Sequence, residues 1–179
     1  VRARLPAMVA QYCGAHPLVL ADPETWAAAG LDDADWPEVH LLPSHPHADD
    51  QTVASVVAVI QARGATGVVA VGSGTVNDLA KRGCDLAGLQ FVTLGTASSM
   101  NGYASGIAAI LSDGLKTTVP CRPARAVILD TDILAKAPAR MTQAGLGDLL
   151  SKPVSDSDWW LADQLEGGGY SDLPNALVS

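Results

Sequence analysis

Aromatic residues are scarce in this 179-residue chain, with one Phe, three Tyr and four Trp making up 4% of it. The core therefore has to be built from Val, Leu, Ile and Ala, as in the buried strands of α/β proteins, and apolar residues supply 48% of the sequence. Basic residues are also few: 11 Lys and Arg stand against 19 Asp and Glu, for a formal net charge of −8. With no Lys/Arg cluster either, the chain lacks the patch expected of a nucleic-acid binder. A single phosphate group stays within reach, because a helix N-terminus and a cation or two suffice for it. The cysteines, Cys13, Cys84 and Cys121, are odd in number and have no metal-ligand spacing, which fits inert, reduced thiols in a cytosolic protein. No apolar run approaches the roughly 20 residues of a membrane span, and the opening VRARLPAMVAQYCG has too short an apolar segment for a signal peptide. The expectation is a soluble cytoplasmic protein, long enough for one well-buried domain, or for one domain and the beginning of a second.

What is present is an alternation of strand and helix patterns. PLVLAD is a short apolar strand ending at Asp22, and PETWAAAG a helical stretch with Pro23 at a permitted first position and Gly30 past its end. EVHLLP reads as a second strand. In HADDQTVASVVAVIQARG the residues Val53, Val56, Val57 and Ile60 fall on one helical face that stops at Gly64. GVVAV is a third strand, TVNDLAKRGCDLAG a helix and QFVTLG a fourth strand. This order predicts a parallel sheet with helices on both faces. After Gly95 come a polar loop, TASSMNGYASG, a hairpin of IAAIL and LKTTVP around Ser112, Asp113 and Gly114, and another buried strand, ARAVILD. From Thr131 the pattern is helical through DILAKAPARMTQAGLGDLLSK, with Pro138 starting a new helix, and again through SDSDWWLADQLEG. Beyond Gly167 no packing pattern is legible. The expected division is an α/β domain over residues 1–135 and the first helices of an all-helical domain over 136–179.

The segment VVAVGSGTVNDLAK places Gly72, Ser73 and Gly74 in a strand-to-helix turn, with the strand ending at Val71 and the helix beginning near Thr75. Such a turn aims unpaired N–H groups outward at the positive end of a helix, where an anion is favoured. Glycine serves there by accepting positive φ and by letting an anion approach the backbone. A pyrophosphate is the natural occupant. The pattern departs from the usual GxGxxG fingerprint, which follows a first strand and has a third glycine.

Four motifs in order, VGSGTVNDLAK, TLGTASSMNGYASGIAAI, VILDTDILAKAPARM and AGLGDLL, resemble the sn-glycerol-1-phosphate dehydrogenases. These belong to a superfamily with glycerol dehydrogenase, the iron-containing alcohol dehydrogenases and dehydroquinate synthase. The resemblance covers about residues 65–160, and it implies that residues 1–135 form an NAD(P)-binding, that is nucleotide-binding, α/β domain and residues 136–179 the first helices of an all-helical metal-binding domain. It implies that Gly72, Ser73, Gly74 and Thr75 bind the pyrophosphate of NAD or NADP, and it puts Asp78 near the nucleotide. Spacing alone allows Asp78 and Lys81 to be no more than an exposed i, i+3 ion pair, worth about a few tenths of a kcal/mol. Thr96, Ser98, Ser99 and Ser105 match positions at the cofactor's nicotinamide end. Asp22, an acid at the end of the first strand, is placed to accept hydrogen bonds from the adenosine ribose and to repel a 2′-phosphate, so NAD is expected over NADP.

The resemblance also implies that Asp148 is a ligand of a catalytic Zn²⁺ and that a small phosphorylated ketone, dihydroxyacetone phosphate, is the substrate. At Asn101 the family usually carries Asp in contact with substrate; Asn keeps the shape, loses the charge and also suits a tight turn before Gly102. A zinc site takes three protein ligands, and the family's histidines come from helices downstream of the Asp. Here His16, His40, His45 and His47 all precede Asp148, and His45 and His47 read as surface residues of a loop. The chain accordingly reads as a piece of a longer protein. Two other readings stand beside it: a dehydroquinate-synthase-like sugar phosphate cyclase, and an inactive nucleotide-binding relative. The sequence is compatible with a homo-oligomer and fixes no number of copies.

Overall fold

The computed structural model describes residues 2–36 and 38–178. The strands are β1 (Pro17–Ala21), β2 (Val39–Leu41), β3 (Gly67–Gly72), β4 (Phe91–Gly95), β5 (Ile107–Ser112), β6 (Leu115–Pro120) and β7 (Ala126–Leu129). The helices are α1 (Leu5–Tyr12), α2 (Pro23–Ala29), α3 (Asp50–Ala62), α4 (Gly74–Ala87), α5 (Thr131–Leu134), α6 (Ala139–Leu150), α7 (Lys152–Glu166) and α8 (Leu173–Val178).

Five strands form an all-parallel sheet in the order β2-β1-β3-β4-β7, and β5 and β6 pair as a separate antiparallel hairpin. A parallel sheet is viable only with both faces covered, and the pleat divides the apolar residues between them. Leu18, Leu20, Val68, Ala70 and Phe91 pack on one face beneath α3, α4 and the hairpin residues Ala108 and Ile110. Val19, Ala21, Val69, Val71, Val92 and Leu94 pack on the other, beneath α1, α2 and Ile133 of α5. Every residue of β3, the central strand, is buried. The parallel fold, the hairpin and the strands follow the sequence expectation.

Local chemistry sets the helix ends. Asp22 caps α2, its carboxylate accepting the Thr25 N–H at 2.7 Å while the Asp22 N–H donates to the Thr25 hydroxyl at 3.1 Å. The Asp49 carboxylate caps α3 by accepting the Thr52 N–H at 2.7 Å. Three elements differ from the sequence reading. The opening segment forms α1, whose Leu5 and Val9 are buried under the sheet. The helix read as continuous through Lys152 ends at Leu150, and α7 starts afresh with Pro153 in its first turn, where a missing N–H costs nothing. The segment past Gly167 carries α8. Among the described residues no helix is long and apolar enough to cross a membrane.

Candidate functional site

The chain reverses its direction of travel across the sheet between β1 and β3: β2 lies on one side of β1, and β3, β4 and β7 on the other. In open α/β sheets the crevice beyond the strand C-termini at such a switch point is where ligands bind. Ala21 and Val71 are paired in register there, so Asp22 and the turn Gly72-Ser73-Gly74 leave the sheet side by side.

That turn runs directly into α4. Ser73 is its N-cap residue, the first helical bond runs from the Asn77 N–H to the Ser73 carbonyl at 2.9 Å, and the Ser73 side chain makes no cap hydrogen bond. Unlike α2, α3 and α5, and like α1, α6 and α7, α4 opens with no side-chain cap hydrogen bond. Its N–H groups are thus left for an outside acceptor. The glycines work by space and not, as expected, by positive φ: neither Gly72 nor Gly74 lies in the left-handed region. A Cβ on Gly72 would come within 2.5 Å of Val76 Cβ, so Gly72 lets α4 close onto β3. A Cβ on Gly74 would meet only Met100, at an ordinary 3.5 Å. Packing within the domain would therefore admit a methyl group at Gly74.

The segment after β4 folds back over this turn. The Thr96 N–H donates to the Gly72 carbonyl at 3.1 Å, and Thr96 is buried while Ser98 is exposed and Ser99 half-buried. The buried Tyr103 hydroxyl donates to the Ala97 carbonyl at 2.6 Å, and burial pushes its pKa up to about 12. The Ser105 hydroxyl sits 2.9 Å from the Gly102 carbonyl and receives a bond from Lys81, so it is engaged in shaping the loop.

Asn101 and Asp148, 47 residues apart, meet: the Asn101 backbone N–H donates to Asp148 Oδ2 at 2.9 Å. The other oxygen, Oδ1, lies 3.3 Å from Lys152 Nζ. The Asn101 N–H, and after it Lys152, hold the Asp148 carboxyl below the ordinary carboxylate range. Gly145 makes the approach of α6 possible, since a Cβ there would run into the Ser98 carbonyl oxygen. Gly147 meets nothing and has no such role. Among the described residues no group of three His, Cys, Asp or Glu could hold a metal. Both Asp148 oxygens already have partners, so these residues alone do not make a zinc centre.

Asp78 and Lys81 are not the exposed pair that their spacing allows. Lys81 is 0% exposed, with Nζ 3.9 Å from Asp78 Oδ1, and Asp78 Oδ2 accepts the Ala109 N–H of β5 at 3.2 Å. Burial raises the Asp78 pKa and lowers that of Lys81, while each charge opposes the shift of the other. The pair ties α4 to the hairpin. Cys13 and Cys84 are buried, and burial raises the pKa of both, Cys13 to about 11; His45 and His47 are exposed. A hollow of about 930 Å³ between α1 and the Gly30–Trp36 segment is lined by none of the residues that the sequence assigns to the site.

Fold and turn define an open α/β domain with a glycine turn at its switch point. The chain belongs to the iron-containing alcohol dehydrogenase family, which matches residues 1–138. It is 34% identical over 178 residues to the glycerol-1-phosphate dehydrogenase [NAD(P)+] of Bacillus velezensis, covering 93% of this chain and 45% of the relative. It is 35% identical over 164 residues to the enzyme of the same name from Thermococcus kodakarensis, covering 89% of this chain and 47% of the relative. The chain thus spans about half the length of these curated relatives. Among solved structures, one described as a probable glycerol dehydrogenase from Sinorhizobium meliloti superimposes with a TM-score of 0.71 at 28% identity, over 84% of this chain and 42% of that one. The iron-containing alcohol dehydrogenase of Thermococcus thioreducens, at 17% identity, shares the fold with a TM-score of 0.71, over 83% of this chain and 48% of that one.

Proposed function

We propose that the chain is the nucleotide-binding half of a glycerol-1-phosphate dehydrogenase, which interconverts dihydroxyacetone phosphate and glycerol 1-phosphate with NAD(P)(H). The observation that carries this reading is the uncapped N-terminus of α4, bare at Gly74, at the switch point beside Asp22. The names of the relatives supply the reaction. When bound, the nicotinamide supplies or takes up the hydride. The chain's own residues bind and orient: the N–H groups of Gly72 to Thr75 take the pyrophosphate, Asp78 fixes α4 against the hairpin, and Thr96, Ser98 and Ser99 border the nicotinamide end. Asn101 and Asp148 face the substrate. Asp148 is the zinc ligand this half contributes, and residues 136–179 belong with the helical domain that completes the centre. A second reading, a relative that binds nucleotide without turnover, draws on Asn101, whose neutral amide stands where the resemblance puts a carboxylate.

Cofactor choice tests the site without needing turnover. Asn caps a helix about as well as Asp, so Asp22→Asn keeps the α2 cap and removes only the charge that would repel a 2′-phosphate. In fluorescence titrations the unaltered chain is expected to prefer NADH over NADPH, and Asp22→Asn to reduce that preference about tenfold. An unchanged preference leaves Asp22 as a helix cap alone.

A further inference from the structure

Lys81 is among the largest fully buried side chains of the described residues, although lysine is among the residues least often buried. Its ammonium has three protons to donate, and the structure gives all three an acceptor: the Gly102 carbonyl at 3.1 Å, the Ser105 hydroxyl at 3.0 Å and the Ile107 carbonyl at 2.8 Å. These partners lie within the stretch that leads from the site loop into β5. None belongs to the parallel sheet on which α4 packs. An apolar side chain would fill a core position at less cost than a buried ammonium, so packing alone does not account for lysine here.

The anchored stretch has little regular structure of its own, a single 3-10 turn over Gly102–Ala104. Its start, Asn101, donates its N–H to Asp148, and Met100 lies over Gly74. Helix α4 therefore reaches this segment twice, at its first residue through Met100 and two turns later through Lys81. We infer that Lys81 is a positioning residue of the site: it holds Gly102–Ile107 so that Asn101 and the loop hydroxyls stand over the glycine turn and against Asp148. What the loop faces rests on the nucleotide reading proposed above; the anchoring does not.

The test is residue-resolved amide hydrogen exchange, with NADH titration, on the 179-residue chain and its Lys81→Met and Ser105→Ala variants. Methionine keeps the length of the stem and removes the ammonium from all three acceptors, leaving the Gly102 and Ile107 carbonyls only the bonds they receive from Ser105. In Lys81→Met the amides of Asn101 to Ile107 are expected to exchange roughly tenfold faster or more while those of β1, β3 and β4 keep their protection. NADH affinity should fall about tenfold, because the loop must then be ordered on binding. Ser105→Ala removes one acceptor and should quicken exchange in the same stretch, which keeps the test decisive if Lys81→Met does not fold. Unchanged exchange from Asn101 to Ile107 in the variants, or protection lost evenly across the sheet, would overturn the anchoring. Faster exchange with unaltered NADH affinity would overturn the positioning role. An unaltered chain that binds no NADH would instead defeat the nucleotide reading, and the exchange result would still decide the anchoring.

Discussion

Valine at position 74 is expected to abolish NADH binding, weakening it about a hundredfold or more, while the chain stays folded with its thermal midpoint within about 2 °C of the unaltered protein. The structure separates these two effects. Gly74 has an ordinary φ, and a Cβ there meets Met100 at 3.5 Å, a distance at which atoms touch without strain. The fold thus admits a Cβ at this position, and the flexible end of Met100 can step aside for the valine methyls, so the cost falls on whatever approaches the first turn of α4 from solvent. Position 72 is the opposite case, because a Cβ would press on Val76 at 2.5 Å and push α4 off β3. Isothermal titration beside a melting curve distinguishes them, and equal NADH affinities for Gly74→Val and the unaltered chain remove the turn from the site.

Alanine at Gly145 is expected to detach α6 from the site loop. The added methyl runs into the Ser98 carbonyl, and a backbone oxygen has no rotamer by which to step aside. Something must move, at a cost of about 1–3 kcal/mol if it is held in place. Helix α6 buries none of its residues, whereas the loop is pinned by Tyr103 and Lys81, so α6 is the part that yields. The expected result is loss of the Asn101 N–H bond to Asp148, read as faster exchange of that amide, with urea stability of the sheet changed by less than about 1 kcal/mol. An Asn101 amide as protected as before would show that α6 does not depend on close approach at Gly145.

The sheet was legible because buried parallel strands are written as short apolar runs: Gly67–Gly72 has no polar side chain and lies buried on both faces. Helix α3 was legible because Val53, Val56 and Ile60 recur at helical spacing. Helix α1 was not, since Pro6 and the Arg-Ala-Arg that precedes the helix show no clear stripe and its burial comes from packing on the sheet at β4. At the site, residue types were readable and their reasons were not. The glycines of the turn stood out, but whether they serve φ, packing or an incoming ligand depends on Val76 and Met100. The burial of Lys81 was not legible because an acid one turn before it is equally the mark of a surface pair. Its actual partners come 21 to 26 residues later, and two of the three are main-chain carbonyls that side-chain identity does not specify. The motifs placed Asn101 and Asp148 in one site, while the bond between them runs through a backbone N–H and depends on where α6 lies.

The central claim is that a dinucleotide binds at the start of α4, and the most direct measurement of it is a titration of the unaltered chain with NADH followed in amide NMR spectra. The account predicts that the amides of Gly74, Thr75 and Val76 shift together with those beside Asp22 along one saturating curve. A titration without saturable shifts, or with shifts confined to the hollow beside α1 that Leu5, Val9 and Trp36 line, would contradict it.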